Sequence, residues 1–138
     1  MTNMRPLPIG GNLFTSTEAI EVRSPYDNSL LGTVPSCGPA EVDVAVAAAK
    51  ASLATPIPAH ERARILDAVA DAIAARQDEF ATCIAGEAAK PLKAALAEVM
   101  RGVETFRFAA VEARTLTGDV IAMDAHPHGT AKFGFTLR

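Results

Sequence analysis

The chain has no tryptophan and one tyrosine, and aromatic residues fill only 5% of its 138 positions. A core without large rings must come from aliphatic and alanine side chains, so it is thin and rich in helix. Excess positive charge is also missing. The net charge is −3, the pI is near 5.6, and no basic run or basic–aromatic patch interrupts the sequence. That balance excludes nucleic acid as the expected partner. No apolar run approaches the roughly 20 residues of a membrane span. The stretch Met1–Gly11 has no apolar signal core, so the expected location is cytoplasmic, with no membrane partner. Cys37 and Cys83 are the only cysteines and stand too far apart for a CxxC pair, so no disulfide framework is expected. The glycines at 10, 11, 32 and 38 do not make a dinucleotide fingerprint, which needs a strand, a glycine-rich turn and a helix N-terminus. His126 and His128, set about a proline, are too few to hold a metal. They and His60 read as ordinary surface.

What is present is a helical pattern between two short β regions. Met1–Pro8 reads as a loose tail. Ile9-Gly10-Gly11-Asn12-Leu13 reads as a tight turn flanked by short strands. Ile20 and Val22, then Leu30, Leu31 and Val34, mark two more strands joined by the turn Ser24–Asn28. Gly38-Pro39-Ala40-Glu41 starts a helix, with proline at its first position and an acid at its positive end. Val42, Val46, Ala49 and Leu53 are its expected buried face. Pro56 and Pro58 separate it from a second helix with the stripe Ile65, Leu66, Val69 and Ile73. Phe80, Cys83 and Ile84 predict a third, short helix that stops at Gly86. A long fourth helix runs from Pro91 to about Leu116, with Gly118 as its stop. Its stripe is Leu92, Leu96, Val99, Val103, Phe106 and Ala110. After a turn at His126–Gly129, Thr130–Arg138 alternates with period two. Ala131, Phe133, Phe135 and Leu137 share one face of a strand that has no visible return partner. The expected fold is α+β: a short N-terminal β-ladder, three to four helices and a C-terminal strand in one incomplete unit.

Three runs in this pattern carry a family resemblance. The EAAKP at Glu87–Pro91, the pair Glu98-Val99, and TFRFAAVEARTLTGD at Thr105–Asp119 are similar to the N-terminal part of the aldehyde dehydrogenase superfamily. The similarity extends from Ile9 to Arg138. Two positions depart from the family pattern: Ala89 stands where Glu-Xaa-Gly-Lys-Pro has glycine, and Ser24 where asparagine usually precedes the proline. The resemblance implies a part of an α/β fold, with residues 1–122 flanking the cofactor domain and 123–138 starting an oligomerisation arm. It implies a homo-oligomeric enzyme that oxidises a small aldehyde with NAD or NADP, bound by chain beyond these residues. The nucleophilic cysteine, the glutamate base and the oxyanion-binding asparagine would also lie beyond them. This segment alone would then be inactive, and Cys37 and Cys83 would be structural.

Two places invite a sharper reading. Glu87 is either a helix-boundary acid satisfied by Lys90 or Arg23, or, as the resemblance implies for some members, one side of a monovalent-cation site completed by a backbone carbonyl near Arg23. Arg101 stands in a series, Glu98, Arg101, Glu104, Arg107, spaced by three. One reading is a surface lattice of ion pairs worth ~0.2–0.5 kcal/mol each. The other follows the EVxR pattern at Glu98–Arg101. It resembles the branch that includes lactaldehyde, phosphonoacetaldehyde and non-phosphorylating glyceraldehyde-3-phosphate dehydrogenases. There an arginine grips the anionic end of the substrate with its planar fork, and Gly102 leaves room beside it. Against the enzyme reading stands a helical binding module without catalysis. A finished module should cap its last strand, and an interrupted enzyme need not.

Overall fold

The computed structural model describes residues 4–137. Gly10 and Gly11 carry φ values of 58° and 84°, the left-handed pair that a two-residue hairpin turn requires. They fold β1 (Leu7–Ile9) antiparallel onto β2 (Asn12–Phe14), with Leu7 opposite Phe14. Leu7 and Pro8 therefore belong to a strand rather than to the expected tail, and Met1–Asn3 lie outside the described residues. The second ladder pairs β3 (Ala19–Arg23) with β4 (Leu30–Pro35), antiparallel, with a register shift between Val22 and Arg23.

Helix α1 (Pro39–Ser52) begins as its sequence predicts: the Glu41 carboxylate accepts the Gly38 N–H at 2.7 Å. Its apolar face corrects the expectation. Val42, Val46 and Leu53 are 56%, 49% and 78% exposed, and no residue of α1 is buried. Among the described residues no layer covers that face. α1 rests instead near the β1–β2 turn, where a Cβ built on Gly10 would stand 3.2 Å from that of Ala48.

The core lies between α2 (Ala59–Ala75), α3 (Gln77–Ala88) and α4 (Leu92–Thr115). It is made mostly of alanine. Ala63, Ala110 and Ala113 form one buried cluster with Leu66 against it; Ala81, Ala95 and Val99 form the other, with Ile73, Ile84 and Leu96 alongside. Ile65 and Leu92, expected on the stripes, are exposed. Close approach of two helices favours the positions with the smallest side chains. The contact seam therefore follows the alanines, and the larger aliphatics border it. Arg114 of α4 ties the seam to α2 through Asp67, at 2.7 Å.

The third helix does not stop at Gly86. It runs on to Ala88 and ends at Ala89, whose φ of 51° and ψ of 35° are left-handed. Gly86 is an interior residue packed toward Leu31 of β4. α4 ends at Thr115, before Gly118. That glycine answers a different need: a Cβ there would lie 1.5 Å from the Thr136 carbonyl oxygen.

The C-terminal strand is shorter than predicted and has a partner. β5 (Val120–Ile121) pairs antiparallel with β6 (Gly134–Phe135). Ala131, at φ 61°, breaks the extended run, and two short 3-10 turns occupy Met123–Ala125 and Pro127–Gly129. Phe133, Phe135 and Leu137 remain exposed, and Arg138 lies outside the described residues. The architecture is the expected α+β one, with two short N-terminal ladders, four helices and a terminal strand pair.

Candidate functional site

The series on α4 does not form the continuous lattice that three-residue spacing allows. Lys90, from the turn before α4, bonds the Glu98 carboxylate. At the other end Arg107 bonds Glu104 at 2.8 Å and stands 3.9 Å from Asp71 of α2. Arg101 lies between them with both acidic neighbours engaged elsewhere. Among the described residues its guanidinium makes no ion pair or hydrogen bond; its backbone carbonyl accepts the Thr105 hydroxyl at 3.0 Å. The hydrogen bond from Lys90, then its charge, and more weakly the charge of Arg101 hold the Glu98 carboxyl below the ordinary glutamate range. A Cβ added at Gly102 would meet nothing within 4 Å. An exposed, unpaired fork beside open space can take an oxyanion through two charge-assisted hydrogen bonds.

A second feature lies between α3 and the β3–β4 ladder. It is a cleft of about 300 Å³ whose walls include Arg5, Val22, Leu31, Thr33, Cys83 and Glu87. Glu87 accepts a hydrogen bond from the Cys83 thiol at 3.3 Å. The expected pairs of Glu87 with Lys90 and Arg23 are absent. Lys90 follows the left-handed Ala89, which turns it toward Glu98, and Arg23 bonds Glu21 and the Asn28 carbonyl, each at 2.8 Å. Arg23 does not line the cleft. Among the described residues Glu87 forms no ion pair, and Arg5 is the cationic side chain that shares its cleft. No group of three or more acidic, histidine or cysteine side chains gathers there or elsewhere among them.

Both cysteines are exposed. Glu87, first by its hydrogen bond and with burial and its charge following, pushes the Cys83 thiol up. A thiol held protonated by a carboxylate is a poor nucleophile. His126 and His128 stack loosely, with centroids 5.3 Å apart, and the His128 N–H donates to His126 Nδ1 at 3.3 Å. The cleft is not legible in the sequence because Arg5 belongs to the segment read as tail. Nor is the Lys90–Glu98 bond, which spans eight residues across a change of helix.

The profile of the aldehyde dehydrogenase family matches residues 14–136. An aldehyde-dehydrogenase-like protein of Sinorhizobium fredii is 36% identical over 138 residues, which is 99% of this chain and 27% of that protein. A 3-sulfolactaldehyde dehydrogenase of Priestia megaterium is 29% identical over 132 residues, covering 96% of this chain and 28% of its own length. In three dimensions, the NAD-dependent aldehyde dehydrogenase of Sinorhizobium meliloti superposes with a TM-score of 0.80 at 28% identity, over 88% of this chain and 26% of that one. The chain thus spans about a quarter of the length of the relatives it matches. No helix among the described residues is long and apolar enough to cross a membrane.

Proposed function

From the premise that this chain belongs to the aldehyde dehydrogenase family, we propose that it is the N-terminal part of an enzyme that oxidises a small anionic aldehyde to its carboxylic acid. In that reaction the aldehyde carbon gives a hydride to NAD or NADP and gains an oxygen from water. In this reading the cofactor and the reacting centre belong to the remaining three-quarters of such an enzyme, and this segment alone is inactive. The role of the present chain is recognition. Arg101 grips the anionic end of the substrate, and Gly102 leaves space for that head group. Residues 123–138 start the arm through which subunits associate.

The observation that carries this reading is the open fork of Arg101, flanked by acids that other cations occupy. The sulfo group in the name of one relative's substrate supports an anionic head group. In the full-length enzyme, Arg101→Ala should lower kcat/KM for a sulfonated or phosphonated aldehyde about ten- to hundredfold, the range of a charged hydrogen bond. Most of the loss should appear in KM, because the anion is held in ground and transition state alike. A neutral aldehyde of similar size should be unaffected, and Arg101→Lys should recover only part of the loss. Equal losses for neutral and anionic aldehydes would return Arg101 to a solvated helix face.

A further inference from the structure

We propose that Lys90 is a positioning residue, which keeps the Arg101 fork open by drawing Glu98 away from it. The inference rests on the reading of Arg101 as the residue that meets the substrate's anion.

Glu98 and Arg101 are three residues apart on α4 and so are neighbours on its surface. With nothing else to bind, the Glu98 carboxylate would turn to Arg101 and fill the fork, or stand beside it as a negative charge facing an anionic substrate. In the structure Lys90 bonds Glu98, so the carboxylate does not pair with Arg101 and its charge is largely met by the lysine. Lys90 can do so because it is not part of α4. It follows the left-handed residue Ala89 and precedes Pro91, at which the helix is capped, so it reaches Glu98 from outside the helix. On the far side of Arg101, Glu104 is held in the same way by Arg107. Arg107 lies on α4 itself and also faces Asp71, so that half is an ordinary helical pair. The Lys90 half depends on the turn between two helices, which makes the openness of Arg101 a property of how α3 joins α4.

The test is kinetic and uses the full-length enzyme with a sulfonated and a neutral short aldehyde. Lys90→Met should raise KM for the sulfonated aldehyde about fivefold, the scale of one exposed ion pair together with one nearby like charge. kcat and the neutral aldehyde should not change. Lys90→Met combined with Glu98→Gln should restore the native KM, since the competing carboxylate is gone. Glu98→Gln alone should leave KM unchanged or lower it, and Lys90→Arg should behave as the native enzyme.

Three results would overturn the proposal. One is equal slowing of both aldehydes by Lys90→Met, which marks a purely structural role. Another is a selective loss that Glu98→Gln does not repair, which makes Lys90 a direct ligand of the anion. The third is a raised KM in Glu98→Gln alone. Arg101→Ala measured alongside separates the two readings. If it affects both aldehydes equally, the assignment of Arg101 fails. If it is selective and Lys90→Met is not, only the role of Lys90 fails.

Discussion

The residue that most changes the local picture is Ala89. Its place in a family pattern that favours glycine was visible in the sequence, and the structure supplies the reason: the chain there is left-handed, with φ 51°. An L side chain in that region costs about 1–2 kcal/mol, part of which glycine returns as unfolded-state freedom. Ala89→Gly should therefore stabilise the protein by about 1 kcal/mol and raise Tm by about 4 °C in a thermal melt followed by circular dichroism. A lower Tm would mean that the methyl group is needed where it stands. Individual partners were the least legible layer of the sequence. Lys90 stands nearer in sequence to Glu87 than to Glu98, and spacing alone favours the wrong acid. The direction in which a lysine leaves a left-handed turn is set by backbone geometry, which residue spacing does not encode.

At the scale of elements, existence and order were legible except for β5; the buried face of α4 was legible through Val99, Val103 and Ala110, and that of α1 was not. Proline and glycine punctuation marked both hairpins and the starts of α1, α2 and α4, because those residues restrict or free φ whatever packs around them. Burial depends on what arrives from elsewhere in the chain. The valines of α1 have the spacing of a buried face and lie exposed; Ala63, Ala95 and Ala113, which no predicted stripe included, are buried beside Val99, Val103 and Ala110, which the α4 stripe did include. Hydrophobic periodicity gives a helix an apolar side, and steric fit then decides which positions on that side touch. The α2–α4 seam can be tested directly. Ala110 is fully buried against Ala63 and Ala113, so Ala110→Leu should force the helices apart and cost about 1–3 kcal/mol in urea unfolding. An unchanged midpoint would show that the seam has slack.

At the scale of the whole molecule, much apolar surface faces outward. Besides α1, Met100, Phe108 and Val111 of α4 and Phe133, Phe135 and Leu137 of the last strand pair are exposed. Surfaces of this extent favour association. The 138-residue chain should elute as oligomers in size-exclusion chromatography with light scattering, and a monodisperse monomer with a sharp melt would contradict that. The seam beneath these surfaces has a consequence of another kind. Alanine has no side-chain torsion to adjust, so two helices in contact through methyl groups cannot accommodate a sliding motion by changing rotamers. The distance between α2 and α4 is then set by backbone contact, as in a mechanical jig. Arg101 is exposed on the outer side of that seam, so on the function proposed above its base is held by backbone packing, and adaptation to head groups of different size falls to the arginine's own long stem.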